Sequence, residues 1–344
     1  MNYLWLWRDE FDVLYNCSAY SYDEWASFGK PNKLVGTIYM TMGFTYEIIY
    51  IPFLFIMVKS EFLRLSCYKL MFLLGLIDIT CMPLASICYG YLAFNGIVFC
   101  QAPTFVYTIG CIALSMWAGA CSTCTILAMN RSLDIVAPHY ARKIFEGKKT
   151  LIVMMLPIIY ISYYLFFACP IIFNTEYYAA FFDPYIGTPF GAAIDIEEKY
   201  PHLVHTTNNI CVVFIITGAY GFLCIALTVQ YRGAHSVRLS KMQRQTFIQS
   251  SLICTFVTSA AIIYVYMQFF PTPMWVVVMG QIVWQCSHGA TGIIYLTLNP
   301  TMRKAAIKFY TYPFKKAAGI SIVPTTSTLF KPENNTTRTY SSTY

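Results

Sequence analysis

Long apolar runs, parted by short polar stretches, recur seven times along the chain: 35–58, 70–92, 102–130, 150–173, 205–229, 246–270 and 274–298. A helix needs about 20 mostly apolar residues to cross a bilayer, so the pattern predicts seven membrane-spanning helices. No Asp, Glu, Lys or Arg lies between Asp78 and Arg131. Pro52, Pro83 and Pro157 fall inside runs and predict kinks, which membrane helices tolerate. No internal repeat is visible, which counts against many transporter folds. The expected fold class is all-α: a seven-transmembrane helix bundle at 35–303, preceded by an amino-terminal segment at 1–34. An amphipathic juxtamembrane helix at 304–316 and a tail of disordered composition at 317–344 complete the division.

Composition agrees with the pattern. Hydrophobic residues make up 57% of the 344, and only 11% are charged, against roughly 25% in soluble domains. The segment "MNYLWLWRDEFD" has a short apolar patch and then charges, so no cleavable signal peptide is expected. The thirteen cysteines lie mostly inside apolar runs, where they read as small core residues and not as a metal site.

The net charge of +7 is explained by where the cations sit. Arg8, Lys30, Lys33 and Lys199 occupy one side of the predicted bundle, and the other nineteen Lys and Arg occupy the opposite side. By the positive-inside rule the amino terminus is outside and the carboxyl tail is cytoplasmic. A nucleic-acid partner is not needed to account for the charge. On this orientation Asn16-Cys17-Ser18 is an external glycosylation sequon. The sequons at Asn130, Asn334 and Asn335 face the cytoplasm and stay bare.

Arg131 closes the third run. It reads as one more positive-inside anchor or as a coupling residue. The stretch "LAMNRSLDIVAP" resembles the Asp-Arg-Tyr region of rhodopsin-like receptors, in which a proline follows the arginine by seven positions, as Pro138 follows Arg131. "YLTLNPTMRKAAIKFY" resembles the Asn-Pro end of span 7 and its following amphipathic helix, with Asn299 and Pro300 in those places. Asp78 in "LGLIDIT" stands where such receptors carry a buried acid. The chain is more closely similar to the nematode serpentine receptor class T family of candidate chemoreceptors. The motifs that carry this are "YNCS", "EIIYIP", "SCYKLM", "LAMNR", "FNTEYYAAFFDPYIG", "YVYMQFFP" and "IIYLTLNPTMR", in order from about Tyr15 to about Arg303.

The resemblance implies a G-protein-coupled chemosensory receptor in the plasma membrane, by family in a sensory neuron cilium. The implied partners are a small-molecule ligand, a heterotrimeric G protein and the lipid bilayer. An arrestin-like protein would read the Ser/Thr-rich tail if it is phosphorylated. No cofactor is implied. The coupling group expected is Asn130, Arg131, Asp134 and Pro138. Asn130 replaces the acid that the resemblance calls for, so Asp134, at i+3 from Arg131, is expected to hold the guanidinium. Gln243 or Gln245 is a further candidate, since the loop 230–246 has no Asp or Glu. Span 6 has no Trp-Pro pair.

Glu47, Asp78 and Asn299 are expected to form a buried polar network, either as glue between helices or as a switch. The ligand pocket is sought among Tyr107, Trp117, Asn208, Tyr264, Gln268, Gln281, Trp284, Gln285 and His288 in the outer half of the bundle; His288 alone reads more simply as a satisfied interior histidine. Cys100 lies at the top of span 3 and the loop 174–201 has no cysteine. Cys17 and Cys169 are its available partners, and Cys17 is preferred because Cys169 sits within the fourth run. No Lys or Arg occurs within the seven runs, so a small, uncharged, largely apolar ligand is expected. The alternative is a cationic ligand held by the outer loop, at Glu176, Asp183, Asp195, Glu197 and Glu198.

Other functions fit less well. An intramembrane protease or zinc hydrolase lacks residues, because Asp78 and His288 are the only Asp and His well inside a run. An opsin needs a lysine in span 7, and none is there. A ligand-gated cation channel of the seven-span insect odorant-receptor type is the serious alternative, but its amino terminus is inside, against the charge split.

Overall fold

A computed structural model describes residues 2–58, 60–191, 200, 202–232 and 241–317. Among the described residues seven long helices pack into one bundle: α1 (Lys33–Met57), α2 (Ser66–Asn95), α3 (Pro103–Val136), α4 (Lys149–Phe167), α5 (Leu203–Arg232), α6 (Lys241–Phe269) and α7 (Met274–Leu298). An eighth, α8 (Pro300–Ala317), follows directly. The first six are long and apolar enough to cross a membrane by length and composition. Helix α7 is more polar because Gln281, Gln285, Ser287 and His288 interrupt it, and all four are buried in the bundle. Helix α3 is the central post, packed against α2, α4, α5 and α6. Its apolar window is 72% buried, whereas those of α4 and α5 are 17% buried. The last two therefore present most of their surface to the bilayer.

Element boundaries depart from the hydropathy pattern where proline intervenes. Helix α4 stops at Phe167 rather than at 173. Pro170 disfavours helical backbone in the residue before it, and Ala168 is already extended. Ile172–Asn174 instead forms strand β1, paired antiparallel with β2 (Ala179–Phe181) in the register Ile172 to Phe181. Helix α3 runs on to Val136 and ends before Pro138, which opens the short helix Pro138–Phe145. Within α2 the turn Pro83–Cys88 is π-helical. Pro83 has no amide hydrogen to give, and the wider turn leaves carbonyls free for other donors. Helix α8 begins at Pro300, four residues before the predicted start, because Asn299 Oδ1 accepts the Met302 amide at 3.1 Å and caps it.

The amino-terminal segment is folded. Helices Arg8–Leu14 and Tyr22–Ser27 cover the end of the bundle that bears the hairpin, and Ser21 and Glu24 form a capping box on the second. The hairpin lies across the same end. Tyr39 of α1 donates to the Tyr178 carbonyl at 3.0 Å. Gly110 of α3 allows the Ile171 backbone to approach so closely that a Cβ there would stand 1.7 Å from the Ile171 carbonyl oxygen. The predicted tail at 317–344, apart from Ala317, lies outside the described residues, as do the acidic positions Asp195, Glu197 and Glu198.

Candidate functional site

A central cavity of about 100 Å³ lies beneath the hairpin, between α3, α5, α6 and α7. Its walls are mostly apolar and aromatic: Leu114 and Trp117 from α3, Tyr264 and Met267 from α6, Trp284 from α7, and Phe181 and Phe182 from the hairpin. Two polar side chains, His205 and Gln268, join them, and no Asp, Glu, Lys or Arg lines the cavity.

The polar wall is a single hydrogen-bond chain whose direction can be worked out. The Trp117 indole is a donor only, and it gives its proton to Asn209 Oδ1 at 2.9 Å. Asn208 Nδ2 donates to the same oxygen at 3.0 Å. The Asn209 NH₂ therefore faces His205 Nε2, 3.2 Å away. His205 accepts there, which puts its proton on Nδ1 if it is neutral. The Gln268 amide lies 3.3 Å from Nδ1 and 2.6 Å from the Thr206 hydroxyl. With Nδ1 protonated, the amide turns its oxygen to the imidazole and its NH₂ to the hydroxyl. Thr206 then donates to the His202 carbonyl at 3.2 Å. Every donor in the chain is satisfied internally. The Trp284 Nε1 is not: it is buried and has no hydrogen-bond partner among the described residues.

Below the cavity a second polar layer ties α7 to α2 and α1. Asp78 accepts from the Tyr50 hydroxyl at 2.9 Å and meets His288 Nδ1 at 2.8 Å, with both Asp78 and His288 fully buried. Gln281 and Gln285 both donate to the Ala85 carbonyl, at 3.3 and 3.1 Å. That carbonyl is in the π-helical turn opened by Pro83. Glu47 Oε1 is buried without a hydrogen-bond partner.

At the opposite end of the bundle Arg131 is 4% exposed. Asn130 Oδ1 accepts from both Nε, at 3.1 Å, and Nη2, at 2.5 Å. Nη1 reaches Asp134 at 3.3 Å and the Thr246 hydroxyl of α6 at 3.4 Å. Asn130 Nδ2 in turn donates to Ser66 Oγ of α2 at 3.1 Å. One guanidinium thus links α3 to α6 and, through Asn130, to α2.

The hairpin end is stapled. Cys17 and Cys100 form a disulfide, and Trp25 Nε1 donates to the Cys17 carbonyl at 2.9 Å. Asn16 is exposed, with its side chain folded back on the Ser18 amide at 2.8 Å. Tyr185 reaches the Asn16 carbonyl at 2.9 Å. Lys30 pairs with Glu176 at 2.6 Å, and that hydrogen bond holds its ammonium pKa above the ordinary range. Burial pushes the Asp183 carboxyl up, while its hydrogen bond from the Tyr185 amide, 2.9 Å, pulls the other way.

Residues 1–318 match the sequence profile of the serpentine-type seven-transmembrane G-protein-coupled chemoreceptor Srt family. The chain belongs to that family. Among curated proteins this Srt receptor is similar to serpentine receptor class T-55 of Caenorhabditis elegans, 27% identical over 292 residues that make up 84% of this chain and 78% of the relative. Among solved structures its fold is similar to squid rhodopsin, with a TM-score of 0.58 at 12% identity, covering 90% of this chain and 94% of the other. The receptor is therefore an all-helical multi-pass membrane protein with a rhodopsin-like fold, in a receptor family and not an enzyme family.

Of the nine pocket candidates read from the sequence, Trp117, Tyr264, Gln268 and Trp284 line the cavity of the Srt receptor. The other five do not. Tyr107 packs edge-on against Phe11 and Tyr15 of the amino-terminal segment, at 5.0 and 4.9 Å. Asn208 turns toward the flank of the bundle, where Tyr160 donates to it at 3.1 Å. Gln281 and Gln285 are engaged by Ala85, and His288 by Asp78. The expected network of Glu47, Asp78 and Asn299 is not one cluster. Asn299 donates to the Tyr68 hydroxyl at 3.0 Å, whereas Asp78 bonds Tyr50 and His288, which makes His288 the interior histidine that the sequence suggested. Gln245 donates to the Leu298 carbonyl, 3.2 Å away, and Thr246 takes the contact with Arg131 expected of a glutamine. Pro138 opens the helix after Arg131 as its first residue. His205 and the two hairpin phenylalanines are lining residues that the sequence reading missed. The signal for the first was the i, i+3, i+4 spacing of His205, Asn208 and Asn209, which puts three polar groups on one face of an apolar helix.

Proposed function

We propose that this receptor detects a small, uncharged, largely apolar molecule in the central cavity and passes the signal to a heterotrimeric G protein at the Arg131 end. The observation that carries the ligand reading is the lining: aromatic and aliphatic, with no charged side chain and one unpartnered donor, Trp284 Nε1. Such a wall binds by apolar burial, about 0.8 kcal/mol per methylene, and orients the ligand through one hydrogen bond to a carbonyl, ether or hydroxyl oxygen. An apolar cavity of about 150 Å³ admits benzene; this one, at about 100 Å³, holds a smaller molecule or widens as the hairpin lifts. The charge split supports an amino terminus outside and a cytoplasmic tail, with a glycan on exposed Asn16. Arrestin-like recruitment by a phosphorylated tail, and residence in a sensory cilium, follow from the family resemblance.

The test is a second-messenger screen of expressing cells with small ketones, esters, alcohols and matched hydrocarbons. Trp284→Phe keeps the ring and removes the donor. It is expected to weaken oxygen-bearing agonists by about fivefold to tenfold, the weight of one hydrogen bond, and to leave hydrocarbons unchanged. If the strongest agonists are instead cations whose potency falls steeply with salt, recognition lies on Glu176, Asp183 and the acidic loop, and the cavity reading is wrong.

A further inference from the structure

A second and larger cavity, about 490 Å³, opens on the flank of the bundle between α3, α4 and α5. Its volume is within the range of about 300–1,000 Å³ typical of ligand sites. Ser122 and Thr125 of α3 form its floor, Tyr160 of α4 one wall, and α5 between positions 203 and 215 the other. At 1.5 Å per residue that stretch of α5 is roughly 18 Å long, a little over half of the roughly 30 Å hydrocarbon core. Because α4 and α5 are the least buried spans, the mouth is continuous with the lipid-facing surface.

A wall that meets only acyl chains is normally all hydrocarbon, since lipid offers a polar group no partner. This wall carries the exposed Thr207 and, deeper, Asn208 and the Tyr160 hydroxyl. No charged residue lines it. Asn208 is also the outer end of the chain already traced. Tyr160 donates to its oxygen at 3.1 Å, its NH₂ donates to Asn209 at 3.0 Å, and Asn209 holds Trp117 and His205 of the central cavity.

We infer that this groove is a second binding site, for an uncharged amphiphile dissolved in the bilayer: an apolar body with a single hydroxyl, of the sterol or long-chain alcohol class. The body lies along the apolar part of α5 and enters from the lipid it already occupies. The hydroxyl meets Thr207 and donates to Asn208 Oδ1, which has a second lone pair beside the one Tyr160 uses. The missing cation excludes a phosphate or carboxylate head. Occupancy is felt at the central cavity through Asn209; this last step alone rests on the cavity being the ligand site.

The full chain is reconstituted in nanodiscs with a photoreactive sterol or a photoreactive long-chain alcohol, and the labelled peptides are mapped. Label is expected to concentrate on the segments with Tyr160 and Cys211 and to be displaced by the unlabelled compound. The arm that labels identifies the source. Cys211→Trp fills the groove from an exposed position that the fold tolerates, and should abolish the label. Asn208→Leu should reduce it by about fivefold to tenfold, the weight of one hydrogen bond. Label spread evenly over α4 and the Phe222 and Ile225 face of α5, and unchanged by Cys211→Trp, would show ordinary lipid contact and overturn the site. A disulfide between the Cys211 residues of two copies, formed at the expense of labelling, would make the groove a receptor–receptor interface instead. Neither readout uses an agonist or a G protein, so it stands apart from the fate of the proposed function.

Discussion

Gly110→Ala puts one methyl group between α3 and the hairpin that roofs the central cavity. The added Cβ would stand 1.7 Å from the Ile171 carbonyl oxygen, whereas real Cβ contacts begin at 3.0 Å. The hairpin must therefore rise by at least about 1.3 Å, because a backbone carbonyl cannot rotate aside as a side chain would. Two energies oppose each other. Alanine is favoured over glycine in a helix interior by about 1 kcal/mol, and an overpacked contact costs about 1–3 kcal/mol. The net change in global stability is small, so a melting temperature is the wrong readout. The displacement itself is local. Ile171, Ala179, Ala180, Phe181 and Phe182 line the cavity, and the two strands are only three residues each. Peptide-resolved hydrogen exchange in detergent is expected to show faster exchange over 171–182, with α3 itself unchanged, and agonist potency should fall with it. If exchange over that segment is unchanged and the protein simply melts higher by the helix-propensity gain, the hairpin does not rest on Gly110 and its role as a roof is wrong.

His288→Leu leaves Asp78 buried without its imidazole partner, and breaking a buried pair costs about 3–5 kcal/mol; a large loss of folded, surface-expressed receptor is expected, partly restored by Asp78→Asn in the same chain, and normal thermal stability of the single variant would refute the pairing. Arg131→Ala is expected to keep surface expression and lose G-protein activation, and an intact second-messenger response would return Arg131 to an anchoring role. Asp183→Asn keeps the oxygen that accepts the Tyr185 amide but removes the ionisable group. Because the folded protein raises this carboxyl's pKa, its contribution is full below the unfolded value of about 3.9 and is lost as pH rises through the raised one. The variant should therefore melt higher than wild type at neutral pH and no higher at pH near the unfolded value; an equal gain at both would refute the linkage.

The spans, their order and the basic asymmetry were legible because lipid imposes length and polarity directly on sequence. The ends were not. The pattern reads Ile172 and Phe173 as helix, since periodicity does not separate a short buried strand from a helix terminus; Pro170, two and three residues before them, was the available cue. The Arg131 end was half legible. Asp134 follows from i+3 geometry, but Thr246 arrives from another helix and no local spacing announces it. The pocket was the least legible part. Tyr107, Gln281 and Gln285 have the right residue types at the right depth. The amino-terminal segment folds over the first, and a π-helical turn in α2 draws the other two away. Both are tertiary events that a hydropathy profile does not contain.

The amide of Asn130 has one further consequence. A carboxylate beside an arginine is a proton acceptor, so a contact of that kind loosens in acid and tightens in base. An amide takes up no proton anywhere in the biological range. The link that Asn130 makes between Arg131 and Ser66 is therefore blind to pH. Asp134, the carboxylate that also meets the guanidinium, is about a third exposed, so surrounding water and salt weaken that contact while the buried amide contact is shielded from both.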